Sequence, residues 1–390
     1  MADGALSGEE RLLRDTVRDF ADRELAPGAA DRDEQEHYER RLFDALAGLG
    51  LTGAPFPASI GGGGLAYRAW VLVMEELGAV DMALAVSLSV HVLSQAPVVR
   101  WGTPEQQSRW LAPMLRGERM GAFALTEPGA GSDAAAIRLR ASRIGLADAP
   151  EAYRLDGTKI WISNAPEAEH YLVFATLDPD AGPRAITAFL VEKGTPGFEF
   201  GRKERKLGLR ANPASELVFR AARVPVENRL GREGDGYRIA LSALGEGRIS
   251  IAAACTGLAR AALESAARYC AERQAFGGPL TGQEGVRFML AEMQQQVAAA
   301  RALTRAAAEA RDRGEPIAEA SSLAKWTASD AAMRVASDAV QLFGAAGYSR
   351  ENPVERYLRD AKGAQIYEGT NQVHRLIVAQ QLLRGLGLPG

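Results

Sequence analysis

Apolar positions follow a helical period to about residue 118, shorten into β-type runs, and return to a helical period from about Gly234. The first stripe is Leu12, Leu13, Thr16, Val17, Phe20 and Ala21, spaced so that one helix face is apolar. Ser7 and Glu10 precede it as a capping box, each side chain satisfying a backbone N–H that the first turn leaves free. Thr103-Pro104-Glu105-Gln106 repeats a start signal: a cap, a proline at the first helical position, an acid in the first turn. Apolar runs then fall at 122–125, 159–163, 171–175, 185–191 and 216–219. Asp156-Gly157 predicts a hairpin turn, and Asp178, Asp180, Gly182 and Pro183 predict another. This middle stretch reads as a small β-barrel or sandwich. Alanine-rich helical segments at 236–271, 280–312 and 316–343, and a last helix after Asn371, predict a bundle. The chain therefore reads as an α+β multidomain protein: helical 1–118, β 119–232, helical bundle 233–390.

Composition narrows the function. With 390 residues, 47% of them hydrophobic and 24% charged, the chain exceeds one ordinary core and is globular. A net charge of −3 supplies no attraction for nucleic acid. Cys255 and Cys270 have no pairing pattern and read as reduced residues of a cytoplasmic protein. His37, His91, His170 and His374 form no cluster with metal-ligand spacing. An acidic N-terminus without an apolar core argues against export. Apolar windows such as 249–258 are too short for a bilayer before Arg260 interrupts them, so no membrane is expected.

Several stretches could carry chemistry. Gly61-x-Gly63-x-x-Ala66 formally fits a dinucleotide fingerprint, but Pro55 and Pro57 stand where a strand should precede it. It reads as a flexible inter-helix loop. Thr126-Glu127-Pro128-Gly129-Ala130-Gly131-Ser132-Asp133 combines small residues, which admit a flat ligand or a phosphate close to the backbone, with two hydroxyls; a plain β-loop has the same composition. Lys159-Ile160-Trp161-Ile162-Ser163-Asn164 places Trp161 and Ser163 on one side of a strand, suited to a flavin or to a core. Arg273-Gln274-Ala275-Phe276-Gly277 ends a helix with a cation, a ring and a glycine, fit for a pyrophosphate and adenine or simply for a cap. Gln341-Leu342-Phe343-Gly344-Ala345 is another such end. In Tyr367-Glu368-Gly369-Thr370-Asn371-Gln372 a lone carboxylate sits between packed segments; shielded from water it would bind a proton more tightly and act as a base near neutrality, whereas on the surface it would only flank a cap.

These motifs, in this order and spanning about residues 8–385, resemble the acyl-CoA dehydrogenases. The resemblance implies a homotetramer with one FAD per subunit, an acyl-CoA substrate, and an electron-transferring flavoprotein as acceptor. It implies that Phe123, Leu125, Thr126, Gly131, Ser132, Trp161, Ile162 and Ser163 line the isoalloxazine. Arg273, Phe276, Gln283, Gln341, Leu342 and Gly344 would hold the ADP part of a neighbouring subunit's FAD, and Thr370 and Gln372 its pyrophosphate. Ser132, Gly245, Arg248, Tyr367 and Gly369 would meet the acyl-CoA. Glu368 would take the α-proton as the β-hydrogen leaves as hydride for flavin N5, its own backbone N–H polarising the thioester carbonyl.

Departures from the family pattern matter too. Some members carry the base at the position of Gly247, so Glu368 has no rival there, and Glu246 should point elsewhere. The stretch 81–97 lacks the arginine of glutaryl-CoA enzymes, which disfavours a dicarboxylate. Glu284 stands where many members have glutamine, with Gln283 beside it, and Ala345 replaces a glycine. Gly247-Arg248-Ile249 is most similar to short-chain and branched-chain members, implying a small acyl group and a place in fatty-acid or branched-chain amino-acid catabolism. His91 and Gln95 either line the acyl pocket or pack between helices. The same fold could also serve an acyl-carrier-protein thioester, an oxidase, a flavin monooxygenase, or a scaffold without catalysis.

Overall fold

Helix α8 (Gly236–Glu272) is the spine of the molecule, 37 residues and roughly 55 Å of continuous helix. The computed structural model describes residues 6–146 and 149–388. From Gly245 to Ala259 every residue of α8 is buried, because α4 (Tyr67–Val80), α5 (Met82–Trp101), α9 (Glu284–Asp312) and α10 (Ala318–Phe343) all pack on it. That enclosure explains its alanine-rich sequence: small side chains let several helices approach one axis.

The N-terminal elements are α1 (Gly8–Phe20), α2 (Ala29–Glu34), α3 (Arg40–Gly48), α4 and α5, with the short α6 (Pro104–Gln106) and α7 (Ala112–Leu115). Capping boxes form at Ser7 with Glu10 and at Thr103 with Gln106. In the α1 stripe Val17 and Ala21 are buried, while Leu12 faces outward. The 61–64 loop is pinned and not flexible: the Gly63 and Gly64 amides donate to the carbonyls of Gly53 (3.0 Å) and Phe56 (2.7 Å). One apolar window is longer than those read from the sequence. Helix α5 is long and apolar enough to cross a membrane, with mean hydropathy 1.6, yet 94% of that window is buried inside the protein. It is apolar all round because it is packed all round.

The middle of the chain forms β1 (Gly121–Ala124), β2 (Arg140–Gly145), β3 (Pro150–Ser163), β4 (His170–Thr176), β5 (Ile186–Glu192), β6 (Phe198–Lys203), β7 (Ala214–Pro225) and β8 (Arg229–Leu230). The sheet runs β6-β7-β3-β2-β4-β5-β8, and β1 joins β4 in parallel, Gly121 opposite His170. Asp156-Gly157 is not a turn. It lies inside β3 at a bulge against β7, where Asp156 Oδ1 accepts from the Ala221 amide at 2.7 Å. An Asp-Gly pair supplies the conformation of a bulge as readily as that of a hairpin.

Beyond α10 the chain makes α11 (Val354–Ala364) and α12 (Asn371–Gly385). Between α8 and α9 it makes a small hairpin, β9 (Gln274–Ala275) with β10 (Gly278–Pro279).

Candidate active site

Six residues, 365–370, connect α11 to α12 and turn the chain back against α10. Two in succession are left-handed, Glu368 at φ 53° and Gly369 at φ 92°. Glycine adopts that conformation freely; a glutamate pays on the order of 1 kcal/mol for it. The turn is held by one face of α10. Lys325 Nζ donates to the Gly369 carbonyl at 2.7 Å and to Asn371 Oδ1 at 3.2 Å. Asn371 Nδ2 donates to Asp330 Oδ1 at 2.7 Å and to Ser329 Oγ at 2.9 Å, and Gln365 Nε2 donates to Asp330 Oδ1 at 2.7 Å.

The Glu368 carboxylate points into the protein. Glu368 as a whole keeps partial exposure, but both carboxylate oxygens are inaccessible and neither has a hydrogen-bond partner among the described residues. Burial pushes its pKa up to about 7, against the opposing pull of the Lys325 and Arg248 cations. Helix α8 makes the room: a Cβ on Gly247 would stand 2.5 Å from Glu368 Oε2, so the carboxylate fills the space a side chain would take. Glu246, one residue back, turns away to Arg100 and to Arg311, whose Nε donates at 2.9 Å.

Arg248 is buried with its Nε unpartnered, and desolvation lowers its pKa. His374, fully buried, lies against Gly369, its Cε1 3.2 Å from where a Cβ would stand. Burial and the nearby Lys325 and Arg248 hold its pKa at about 3, so the ring is neutral. Both its nitrogens and the Tyr367 hydroxyl are also buried without partners. So many orphaned polar atoms in one neighbourhood are what a polar ligand or ordered water would satisfy. Among them only Glu368 can accept a proton near neutral pH and release it again.

The 126–133 loop and β3 are brought together as a second constellation. The Ile160 amide donates to the Thr126 carbonyl at 2.9 Å. Lys159, fully buried, donates to Glu127 Oε1 at 2.7 Å and to the Leu125 carbonyl at 2.9 Å. Glu127 also accepts from the amides of Arg138 (2.6 Å) and Leu139 (2.9 Å). The strand is not plain alternation here: the β3–β7 register shifts between Lys159 and Ile162, with Trp161 left-handed at φ 59°. Phe123 packs on Phe174 with ring centroids 5.0 Å apart, and Ile162 is buried.

A flat heterocycle fits this surface. Trp161 is 52% exposed, Thr126 and Ser163 are half-buried and Ser132 is exposed, and nothing lies within 4 Å of where a Cβ on Gly129 or Gly131 would be. Thr370 caps α12 by accepting from the Val373 amide at 3.4 Å, with Gln372 exposed beside it.

The remaining cofactor candidates lie at the other end of α8. Arg273 leads into the β9–β10 hairpin, and Phe276 (φ 51°) and Gly277 (φ 84°) form its tip, so the pair makes a hairpin turn and not a helix cap. Phe276 is 91% exposed. Tyr269 stacks on Phe343 at 4.2 Å, bringing Gln341, Leu342 and Gly344 to the same end. Gln283 is the N-cap of α9 and Glu284 its first residue, where an acid complements the helix dipole. From Arg248 to Glu272 the helix measures roughly 36 Å, so the two groups of candidates are far apart.

Other sequence candidates find structural duties. His91 Nδ1 accepts from the Gly121 amide (3.0 Å), which leaves Nε2–H to donate to the Met114 carbonyl (3.1 Å), and Gln95 Nε2 donates to the Thr52 carbonyl (2.9 Å). Both tie α5 to its neighbours. A Cβ on Gly245 would meet Ile317 at 3.3 Å. A groove of about 1060 Å³, lined by Arg18, Arg260 and Arg301 against Glu75, Glu76 and Glu264, contains none of the candidates. Lys325 belongs to the site although one lysine in an alanine-rich helix has the sequence signature of a solvated residue.

Comparison with known proteins bears on the whole chain. Residues 7–118 match the family described as acyl-CoA dehydrogenase, N-terminal domain; 122–222 match the middle domain and 234–383 the C-terminal domain. An acyl-CoA dehydrogenase of Bacillus subtilis is 43% identical over 378 residues, 97% of this chain and 98% of that protein. The solved butyryl-CoA dehydrogenase of Megasphaera elsdenii is similar with a TM-score of 0.94 at 42% identity, covering 98% of this chain and 100% of that one. A chain from a structure described as an electron transferring flavoprotein of Acidaminococcus fermentans is similar with a TM-score of 0.95 at 42% identity and the same coverage.

Proposed function

Given that this chain belongs to the acyl-CoA dehydrogenase family, we propose that Glu368 is the base that removes the α-proton of a short acyl-CoA. The reaction class is that of the family, an FAD-dependent dehydrogenation of an acyl-CoA thioester. FAD, when bound, supplies the hydride acceptor. The chain's own residues must do the rest: bind the thioester, exclude water, and hold a carboxylate ready beside the α-carbon.

The observation that carries this reading is the Glu368 carboxylate, buried and without a partner. An α-proton of a thioester is weakly acidic, so the acceptor needs a proton affinity above that of an ordinary carboxylate. A pKa of about 7 meets that need while leaving much of the population ionised at neutral pH. The lack of any hydrogen bond means that none must be broken before the proton is taken. The resulting neutral carboxylic acid suits an apolar surrounding better than the anion did. Lys325 first, and Arg248 after it, keep the ionised form from being lost altogether.

A small acyl group is supported by the similarity to butyryl-CoA dehydrogenase. An electron-transferring flavoprotein as acceptor is supported by the similarity to a chain whose structure is described by that name. A homotetramer that shares each FAD between subunits is supported by the distance between the Glu368 turn and the hairpin tip, and by Phe276, Tyr348, Leu376 and Leu382, which this single chain leaves exposed. The free, buried Cys255 and Cys270 suit a reducing, cytoplasmic compartment.

Anaerobic titration of the FAD-loaded protein with acyl-CoAs of graded length and branching tests the reading. Butyryl-CoA or a similarly small thioester should bleach the flavin, and Glu368→Gln should keep its FAD yet fail to bleach. Normal bleaching by that variant would refute the base. Rapid peroxide formation under air, with no other acceptor, would point to an oxidase instead.

A further inference from the structure

We propose that Lys325 is a positioning residue for the proton-transfer step: by gripping the Gly369 carbonyl it fixes the left-handed turn that aims Glu368, and it seats a buried cation against that turn. This inference rests on Glu368 being the base.

The geometry is specific. Lys325 is fully buried, a position lysine rarely takes without a reason. Among the described residues it pairs with no carboxylate at hydrogen-bond distance. Its two contacts are the Gly369 carbonyl at 2.7 Å and Asn371 Oδ1 at 3.2 Å, both in the turn of the base. Ser329 and Asp330, four and five residues further along the same helix, secure Asn371 and Gln365. The three α10 side chains thus hold the stretch 365–371 at both ends and in the middle. Without Lys325 the Gly369 carbonyl would lose its donor at the point where Glu368 and Gly369 are both left-handed, and the turn could relax toward a commoner backbone conformation.

Charged and titratable groups meet Lys325 from every side. Arg248 and Cys255 come from α8, Asp330 from α10, Glu368 from the turn and His374 from α12. Arg248 is therefore the other cation acting on Glu368. Removing the lysine leaves the carboxylate with Arg248 alone, which favours its protonated form. Arginine at 325 would keep the charge but not the reach of a single ammonium to two oxygens.

The test uses full-length, FAD-loaded protein with butyryl-CoA as probe, comparing wild type, Lys325→Met, Lys325→Arg and Glu368→Gln. For Lys325→Met the expected flavin-bleaching rate at saturation falls about 100-fold, while the half-saturating concentration changes by less than about threefold. The acid limb of its pH–rate profile moves up by about one pH unit. The carboxyl band of Glu368 in pH-difference infrared spectra, assigned by its absence from Glu368→Gln, moves in the same direction. Lys325→Arg should lose rate but leave the acid limb in place. A Lys325→Met protein with an unmoved limb, or with a rate within threefold of wild type, overturns the inference. Should that variant fail to accumulate, Lys325→Arg decides: wild-type rate overturns it, and lost rate with unchanged half-saturation upholds it. Normal bleaching by Glu368→Gln would sink the base itself. A silent Glu368→Gln beside a normal Lys325→Met would sink only the role of the lysine.

Discussion

Glu127 and Glu368 are both glutamates whose carboxylates are withdrawn from water, and they have opposite fates. Glu127 accepts from Lys159 and from the amides of Arg138 and Leu139, so its charge is spent on joining a loop to a strand. Glu368 accepts from nothing, and two cations stand near it without hydrogen-bonding to it. Burial alone therefore does not mark a reactive carboxylate. What marks it is burial without satisfaction, in a fold that has left a glycine opposite to make space.

The sharpest way to separate the two is to neutralise each in turn. Glu368→Gln should slow flavin bleaching on the order of 10⁴-fold, a full general-base effect, with FAD content unchanged. Glu127→Gln should act on stability instead, because it strands the buried Lys159 ammonium. Urea unfolding should show a loss of about 3–5 kcal/mol. A Glu127→Gln protein as stable as wild type but as slow as Glu368→Gln would erase the distinction.

The Glu368 site also makes stability depend on pH near neutrality. The Glu368 carboxyl titrates at about 7 in the folded chain against an ordinary 4.5. Between those values the unfolded chain releases a proton that the folded chain retains, so stability falls as pH rises through this window. Glu368→Gln should therefore melt with wild type at pH 4 and be more stable by about 3 kcal/mol at pH 8. Equal melting temperatures at both pH values would show that the carboxylate is better solvated than its surroundings indicate. The smallest effect belongs to Gly247→Ala. A methyl there displaces the carboxylate, and bleaching should slow by about 10- to 100-fold with FAD retained and folding nearly unchanged.

The α-β-α order was legible in the sequence because hydrophobic period reports burial directly. The long helices α8, α9 and α10 and five of the strands follow from it. Strands β2 and β6 escaped because residues such as Arg140, Arg143, Glu199 and Arg202 alternate with few apolar ones, giving runs too polar to register. Helix α11 escaped because turn-forming residues precede it and its basic and acidic residues hide its apolar stripe. Of the site, motif resemblance singled out Glu368, Arg248 and the 126–132 loop. Nothing in a linear reading could bring Lys325 to Gly369, since that contact spans 44 positions and exists only once α10 and the turn have packed.

Helix α5 has a consequence for how the protein is made. This largely apolar 20-residue helix is finished at Trp101, while α8, the helix that covers much of it, begins at Gly236. At roughly 5–20 residues per second of synthesis, the interval between them is about 7–27 s. For that time the ribosome presents a segment indistinguishable by length and hydropathy from a membrane anchor. An apolar segment left uncovered that long is exposed to aggregation until the helices that bury it have formed.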